Sequence, residues 1–168
     1  MNLLKEFIDL NENAKTFPVI KRIACRAIYI KNQKVAMVRS RRHHYYKFPG
    51  GGVEAKETKE EALIRETKEE TGLQIKVETI EPFGYTIEKR PSIFEEGLFL
   101  QYSYYYFADV EEEMVQPHLV DYEIDEEYEL VFIDIKEAIF QNQQTYQKKE
   151  YSFLLRENYI LHLLEKNL

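Results

Sequence analysis

Glu57, Arg65, Glu66, Glu69 and Glu70 lie close together in the chain, and their types and spacing suit chemistry on a bound metal ion. The segment Thr58 to Thr71 is predicted to be a helix with both ends marked. Thr58-x-x-Glu61 is a capping box and Gly72 is the expected left-handed terminator. At about 100° per residue, with Ala62 at zero, Glu69 falls near 340°, Glu66 near 40° and Glu70 near 80°. Three carboxylates thus share an arc of about 100°, with Arg65 flanking it near 300°. Leu63, Ile64 and Thr67 fall on another face, suited to packing on a sheet. Glu66 forms like-charge pairs with Glu69 (i, i+3) and Glu70 (i, i+4), each unfavourable by a few tenths of a kcal/mol. A helix shaped for stability alone would carry lysine at some of these positions. Hard oxygen ligands clustered on one face are what Mg²⁺ or Mn²⁺ requires.

Gly50, Gly51 and Gly52 precede this helix and make up half of the 6 glycines in the chain. Such a loop lets the backbone approach a ligand closely and can offer a carbonyl to a metal and amides to phosphate. Immediately before it runs Arg41-Arg42-His43-His44-Tyr45-Tyr46-Lys47-Phe48. Its functional reading is substrate contact, with Arg41, Arg42 and Lys47 on phosphate or ribose and Tyr45 and Phe48 stacking on a base. Its other reading is an ordinary charged strand end with packed aromatics. His43 and His44 are read as surface residues.

Taken together, Gly51-x5-Glu57-x7-Arg65-Glu66-Thr67-Lys68-Glu69-Glu70-Thr71-Gly72-Leu73 resembles the box of the Nudix (MutT-like) hydrolases. Every glycine and charged position of that pattern is filled. Thr67 stands where the family usually has a bulky aliphatic residue, and the helical wheel turns it towards the core. The resemblance implies a Nudix-like α/β/α sandwich with a mixed sheet, and a metal-dependent hydrolase of a phosphoanhydride bond. The implied substrate is a nucleoside diphosphate linked to another group. Nucleoside triphosphates, including oxidised ones, are the alternative, as is a non-catalytic nucleotide-binding regulator.

The same resemblance assigns roles. Glu66, Glu69 and Glu70 would bind Mg²⁺ or Mn²⁺ with the Gly50 carbonyl, and Glu66 could instead help deprotonate the attacking water. Arg65 would orient the carboxylates, and Gly51, Glu57 and Gly72 would support the site. A further acidic ligand is expected from Glu126, Glu127 or Glu129, among which the sequence does not choose.

The elements that must hold these residues are partly readable. Leu3, Leu4, Phe7, Ile8 and Leu10 recur at helical spacing, predicting a short helix that ends before Pro18. Ile23 to Ile30 and Lys34 to Val38 are predicted to pair as strands across Lys31-Asn32-Gln33. Further strands are predicted at Gln74 to Ile80, Gly84 to Lys89, Leu98 to Val110 and Glu129 to Ile133. A helical turn is expected around Lys136 to Phe140, and an amphipathic helix from about Lys149 to Leu164. That last helix either caps the core or contributes to a homodimer interface. Tyr104, Tyr105 and Tyr106 alternate across a strand and are expected mainly in the core, and Cys25 is expected to be buried.

Composition sets the outer limits. At 168 residues the chain suits one domain spanning 1–168. Its longest apolar runs are far short of a membrane span, its N-terminus does not read as a secretory signal, and its single cysteine excludes an internal disulfide. A cytoplasmic location is expected. A net charge of −7 argues against nucleic acid as a partner without excluding the small nucleotide that the resemblance implies, for which divalent cations would have to offset the protein's own carboxylates.

Overall fold

A computed structural model describes residues 1–10, 18–92, 96–146 and 152–167. Among the described residues eight strands form two sheets. The first has the order β1 (Leu3–Ile8), β6 (Glu81–Pro91), β7 (Leu98–Phe107), β2 (Val19–Ile28). It is mixed, since β1 runs parallel to β6 and β2 parallel to β7, while β6 and β7 are antiparallel. The second is built on β4 (Lys34–Ser40), which pairs antiparallel with β3 (Ile30–Lys31), β5 (Tyr45–Lys47) and β8 (Tyr128–Ile133).

Helices cover both sides, so the α/β sandwich expected from the sequence is the observed architecture. Helix α1 (Lys59–Thr71) lays Ala62 and Leu63 on Cys25 and Ala27 of β2 and Tyr106 of β7. On the opposite side α3 (Ile135–Thr145) and α4 (Phe153–Asn167) close a larger core containing Ile28, Met37, Phe48, Tyr105, Ile160 and Leu161. Strand parity explains the division, because successive side chains of β2 and β7 point to opposite faces. Tyr105 and Tyr106 are buried on opposite sides for this reason, while Tyr104 stays half-buried. Cys25 is fully enclosed, and burial pushes its thiol pKa up to about 12. Among the described residues no helix is long and apolar enough to cross a membrane.

Several elements differ from their sequence expectation. Leu3–Ile8 is an edge strand on β6, not a helix. Isolated helices this short are marginal in water, and the open edge of β6 gives every second backbone group a partner. The Ile23–Ile30 and Lys34–Val38 segments do not form one hairpin. Only Ile30 and Lys31 pair with β4, while β2 joins the other sheet. A strand buried as deeply as β2 needs partners on both edges, which the local hairpin cannot supply. Gln74–Ile80 holds one isolated bridge, Ile75 to Val110, and then a 3₁₀ turn at Val77–Thr79. The helix expected from Lys149 begins, among the described residues, at Phe153; Lys149 itself lies outside them.

Candidate active site

The glycine loop is the seam between the two sheets. Leaving β5, it runs back along the free edge of β2. Ala27 donates its N–H to the Pro49 carbonyl, Cys25 to Gly51 and Val53 to Ile23, each at 2.9 Å. Two glycines are required here. Gly50 has φ of +126°, and a Cβ there would lie 2.1 Å from the Cys25 carbonyl oxygen. A Cβ on Gly51 would lie 2.2 Å from Oε2 of Glu66. The absent side chain of Gly51 therefore makes room for a carboxylate of the helix.

Helix α1 carries the cap expected of it. Thr58 and Glu61 form the reciprocal capping box, and Gly72 terminates the helix in the left-handed region with φ of 75°. Arg65 is the hub of the exposed face. Its Nε and Nη2 donate to the two oxygens of Glu57 at 2.8 and 2.9 Å. Nη1 donates to Glu66 at 2.9 Å and Glu69 at 3.1 Å, and Nη2 also to the Gly52 carbonyl at 3.1 Å. One guanidinium thus ties the loop, the start of the helix and two carboxylates together. Its hydrogen bonds to Glu57 raise the Arg65 pKa and hold the Glu57 carboxyl below the usual range. Burial raises the Glu66 pKa, reinforced by the neighbouring Glu70 charge and opposed by Arg65. Glu70 is almost wholly buried, accepting from the Gly50 N–H at 2.8 Å and from Lys47 Nζ.

The upstream basic and aromatic stretch divides by strand parity. In β5 and the residue after it, Tyr45 and Lys47 face a cavity of about 200 Å³ beside the glycine loop. Tyr46 and Phe48 face the other way. Phe48 has no exposed surface and packs edge-on against Tyr105 with ring centroids 5.7 Å apart, so it is a core residue and not a stacking platform for a base. Arg41 and Arg42 do not line the cavity either. Arg41 pairs loosely with Glu127 at 3.9 Å, and Arg42 Nη1 donates to the Asp125 carbonyl at 3.0 Å. Both sit on the turn after β4, which the sequence alone places no closer to or farther from the loop than Lys47.

The three late acids considered as metal ligands are similarly committed to that turn. Glu126 accepts from Ser40 Oγ at 2.8 Å and the Tyr45 hydroxyl at 3.0 Å, Glu127 pairs with Arg41, and Glu129 with Arg39 at 3.4 Å. An acid outside the box that feels the Glu70 charge is Glu123, on the short helix α2 (Asp121–Asp125). It is buried, and burial followed by the Glu70 charge raises its pKa.

Other cavity residues were missed as well: Arg22 and Arg26 of β2, Glu88 and Arg90 of β6, Phe99 and Gln101 of β7, and Arg156 of α4. A signal existed for the first two. An arginine in the apolar run Ile23–Ile28 is unusual for a buried strand, and a spacing of four puts Arg22 and Arg26 on one face.

The carboxylate oxygens of Glu66, Glu69, Glu70 and Glu123 are hard donors, and the glycine cradle seats one of them against the loop backbone. By donor chemistry the site suits a hard divalent cation. Protein cations engage the box carboxylates in this conformation, Arg65 on Glu66 and Glu69 and Lys47 on Glu70. Among the described residues no three acidic, histidine or cysteine side chains converge in a ready-made ligand set.

The family model described as the NUDIX domain matches residues 21–156. The chain belongs to the Nudix family. Among relatives of this Nudix protein is YtkD of Bacillus subtilis, whose 8-oxo-dGTP diphosphatase name is provisional. It is 30% identical over 122 residues, covering 72% of this chain and 65% of YtkD. An ADP-ribose pyrophosphatase of Methanocaldococcus jannaschii is 39% identical over 61 residues, covering 34% of this chain and 36% of that protein. The chain thus spans less than two thirds of the length of either relative. Solved structures with a similar fold include a MutT protein from Bacillus halodurans. Its TM-score is 0.53 at 21% identity, covering 71% of this chain and 72% of that one. A Nudix hydrolase from Nitrosomonas europaea has a TM-score of 0.54 at 16% identity, covering 84% and 90%.

Proposed function

We propose that this Nudix protein hydrolyses the phosphoanhydride bond of a nucleoside diphosphate linked to a further group, with Mg²⁺ or Mn²⁺ as cofactor. The observation that carries the reading is the junction of glycine loop and α1. There Gly51 admits Glu66 to the loop backbone while Arg65 holds Glu66 and Glu69 together. The names of the two relatives, one for a nucleoside triphosphate and one for ADP-ribose, both imply cleavage of a diphosphate linkage.

Glu66, Glu69 and Glu70 would hold the cation, with Glu123 as the acid from outside the box and the second lone pair of the Gly50 carbonyl as a further donor. The first lone pair is engaged by Arg26. The cation supplies neutralisation of the phosphoryl oxygens. In the reaction a water oxygen bonds to phosphorus, the bridging P–O bond breaks and the water's proton passes to a base. Two phosphate-bearing products result. Glu66, seated against the loop backbone and held by Arg65, would either bind the cation or take that proton. Arg65 keeps Glu66 and Glu69 in place during turnover, and Tyr45 and Lys47 border the cavity in which the phosphates would lie.

The test is a turnover screen across nucleotide sugars, dinucleotides, ADP-ribose and nucleoside triphosphates. Activity should vanish in chelator and return with Mg²⁺ or Mn²⁺. Glu69→Gln, at a half-buried position, should lower kcat by roughly 100-fold or more with circular dichroism unchanged. Hydrolysis that survives chelation, or near-normal turnover by Glu69→Gln, would sink the reading.

A further inference from the structure

We propose that Glu157 of the C-terminal helix is a positioning residue for Glu70. It fixes the piece of chain from which both oxygens of that carboxylate are held, and so sets where Glu70 meets a cation. This rests on the reading of Glu70 as a cation ligand given above. Glu157 lies just past the end of the family match at residue 156, so the box does not account for it.

The free edge of β5 shows how the helix takes hold. Among the described residues β5 has one strand neighbour, β4. Its other edge is completed by side chains. Asn142 of α3 accepts the Tyr46 N–H at 2.7 Å and donates to the Tyr46 carbonyl at 2.9 Å, as a neighbouring strand would. Further along the same edge, Glu157 Oε2 accepts the Phe48 N–H at 2.8 Å. Both side chains are fully buried.

Phe48 sits between the residues that grip Glu70. Lys47, just before it, meets Oε1, and Gly50, just beyond Pro49, donates its N–H to Oε2 at 2.8 Å. Proline has no N–H, so the Phe48 amide is the last backbone donor before Gly50. The Phe48 ring packs on Tyr105, whose hydroxyl donates to Glu157 Oε1 at 3.4 Å. Ring and amide of Phe48 are thus both referred to α4. A displacement of Phe48 moves both contacts on Glu70 at once.

The acceptor at Phe48 is a charge where a neutral group would bond, as Asn142 does at Tyr46. A buried carboxylate is unfavourable unless it is matched. Here Oε1 of Glu157 accepts from Arg156 Nη2 at 2.9 Å, Arg156 Nη1 donates to Glu88 at 2.9 Å, and Arg90 Nε donates to Glu88 at 2.8 Å. Two guanidinium groups and two carboxylates therefore alternate from the cavity wall to the Phe48 amide. Buried ion pairs are weak sources of stability, and fixing one geometry is the use that suits them. A charged acceptor serves that use, because its hydrogen bonds are shorter and roughly twice as strong as neutral ones.

The test compares two paired variants that both remove the Arg156 and Glu157 charges. Arg156→Met with Glu157→Gln keeps an amide oxygen for the Phe48 N–H, and Arg156→Met with Glu157→Met removes it. Any direct effect of Arg156 on the cavity is common to both. Mn²⁺ titration followed by electron paramagnetic resonance should show the methionine pair binding about tenfold more weakly than the glutamine pair. In nitrogen–proton correlation spectra without metal, the Gly50 amide should move in the methionine pair and stay near its wild-type position in the glutamine pair. A purely structural role for Glu157 would leave that amide in place, since Glu157 bonds Phe48 and not Gly50. Equal Mn²⁺ affinities of the two pairs, or a Gly50 amide unmoved in the methionine pair, would overturn the proposal.

If the methionine pair does not fold, Glu157→Asp takes its place. It keeps the charge opposite Arg156 and draws the acceptor back by one methylene. The same weakening and the same amide displacement are expected against wild type, and the absence of either overturns the proposal. A wild type that binds no Mn²⁺ defeats the reading of Glu70 as a cation ligand, and the Gly50 amide then still decides whether Glu157 sets the loop.

Discussion

At the scale of the residue, Thr67 shows how little the departure from the Nudix box costs the site. It points inward, is 1% exposed, and its hydroxyl has no hydrogen-bond partner. A buried hydroxyl without a partner is unfavourable, and valine has nearly the same shape. Thr67→Val should therefore raise stability by about 1 kcal/mol, measured as the midpoint of urea unfolding, with turnover unchanged. A destabilised variant would mean that the hydroxyl has a partner, such as a buried water. Glu66 and Glu69, one residue before it and two after, lie about 100° and 160° away from it around the helix, as the wheel alone required.

At the scale of the element, the clamp between loop and helix sets a pH dependence. Glu57, held by both edges of the Arg65 guanidinium, has a carboxyl pKa below the usual value near 4.5. The folded state then binds its proton less readily than the unfolded state does. The resulting stabilisation is present above about pH 4.5 and is lost as pH falls through the lowered folded value. Glu66 and Glu123 have raised pKa values and act with the opposite sign, their contribution present below about pH 4.5 and lost on going upward. Glu57→Gln should consequently flatten the acid limb of a melting-temperature profile below about pH 4.5, relative to wild type. A variant whose acid limb stays as steep as wild type's would show that the clamp is not what titrates there.

The elements also show where reading from sequence stopped. Helix α1 was legible because its cap, its stop and its faces depend on neighbours within four residues. β5 was not: a three-residue strand has too little pattern, and without it the alternation that buries Phe48 and presents Lys47 cannot be seen. The N-terminal strand was misread because Leu4 and Phe7 satisfy a helical period as well, and only the edge of β6 decides between them.

For the whole molecule, the N-terminal segment closes the sheet from far away in sequence. Leu4 packs into the space left by Gly84, and its carbonyl accepts from the Tyr159 hydroxyl at 3.0 Å. Phe7 meets the Tyr159 ring edge-on at 5.9 Å. Deleting residues 1–10 should cost roughly 2–4 kcal/mol from lost apolar burial and leave the β6 edge open to self-association. Urea unfolding and light scattering would report both; a monomer of unchanged stability would show that β1 is dispensable. The same long-range closure brings α4 to the cavity. Glu157, fully buried, accepts the Phe48 N–H at 2.8 Å, and its neighbour Arg156 reaches Glu88. The C-terminal helix is thereby part of the wall behind the glycine loop, as well as a cap on the core.

What the sequence determined by itself is the box: the helix from Thr58 to Gly72, three carboxylates on one face, Arg65 beside them, and a loop that needs glycine. All of this follows from geometry within a single stretch of chain, where a period of 3.6 residues converts spacing into direction. Only the tertiary structure decided what surrounds that stretch. It put Arg22 and Arg26 on the cavity wall, matched Arg90 and Arg156 with Glu88, tied Glu126, Glu127 and Glu129 to the turn after β4, and withdrew Phe48, Arg41 and Arg42 from the cavity. These placements depend on which strands pair and in what register, and a strand's partners are set by burial across the whole molecule rather than by its neighbours in the chain.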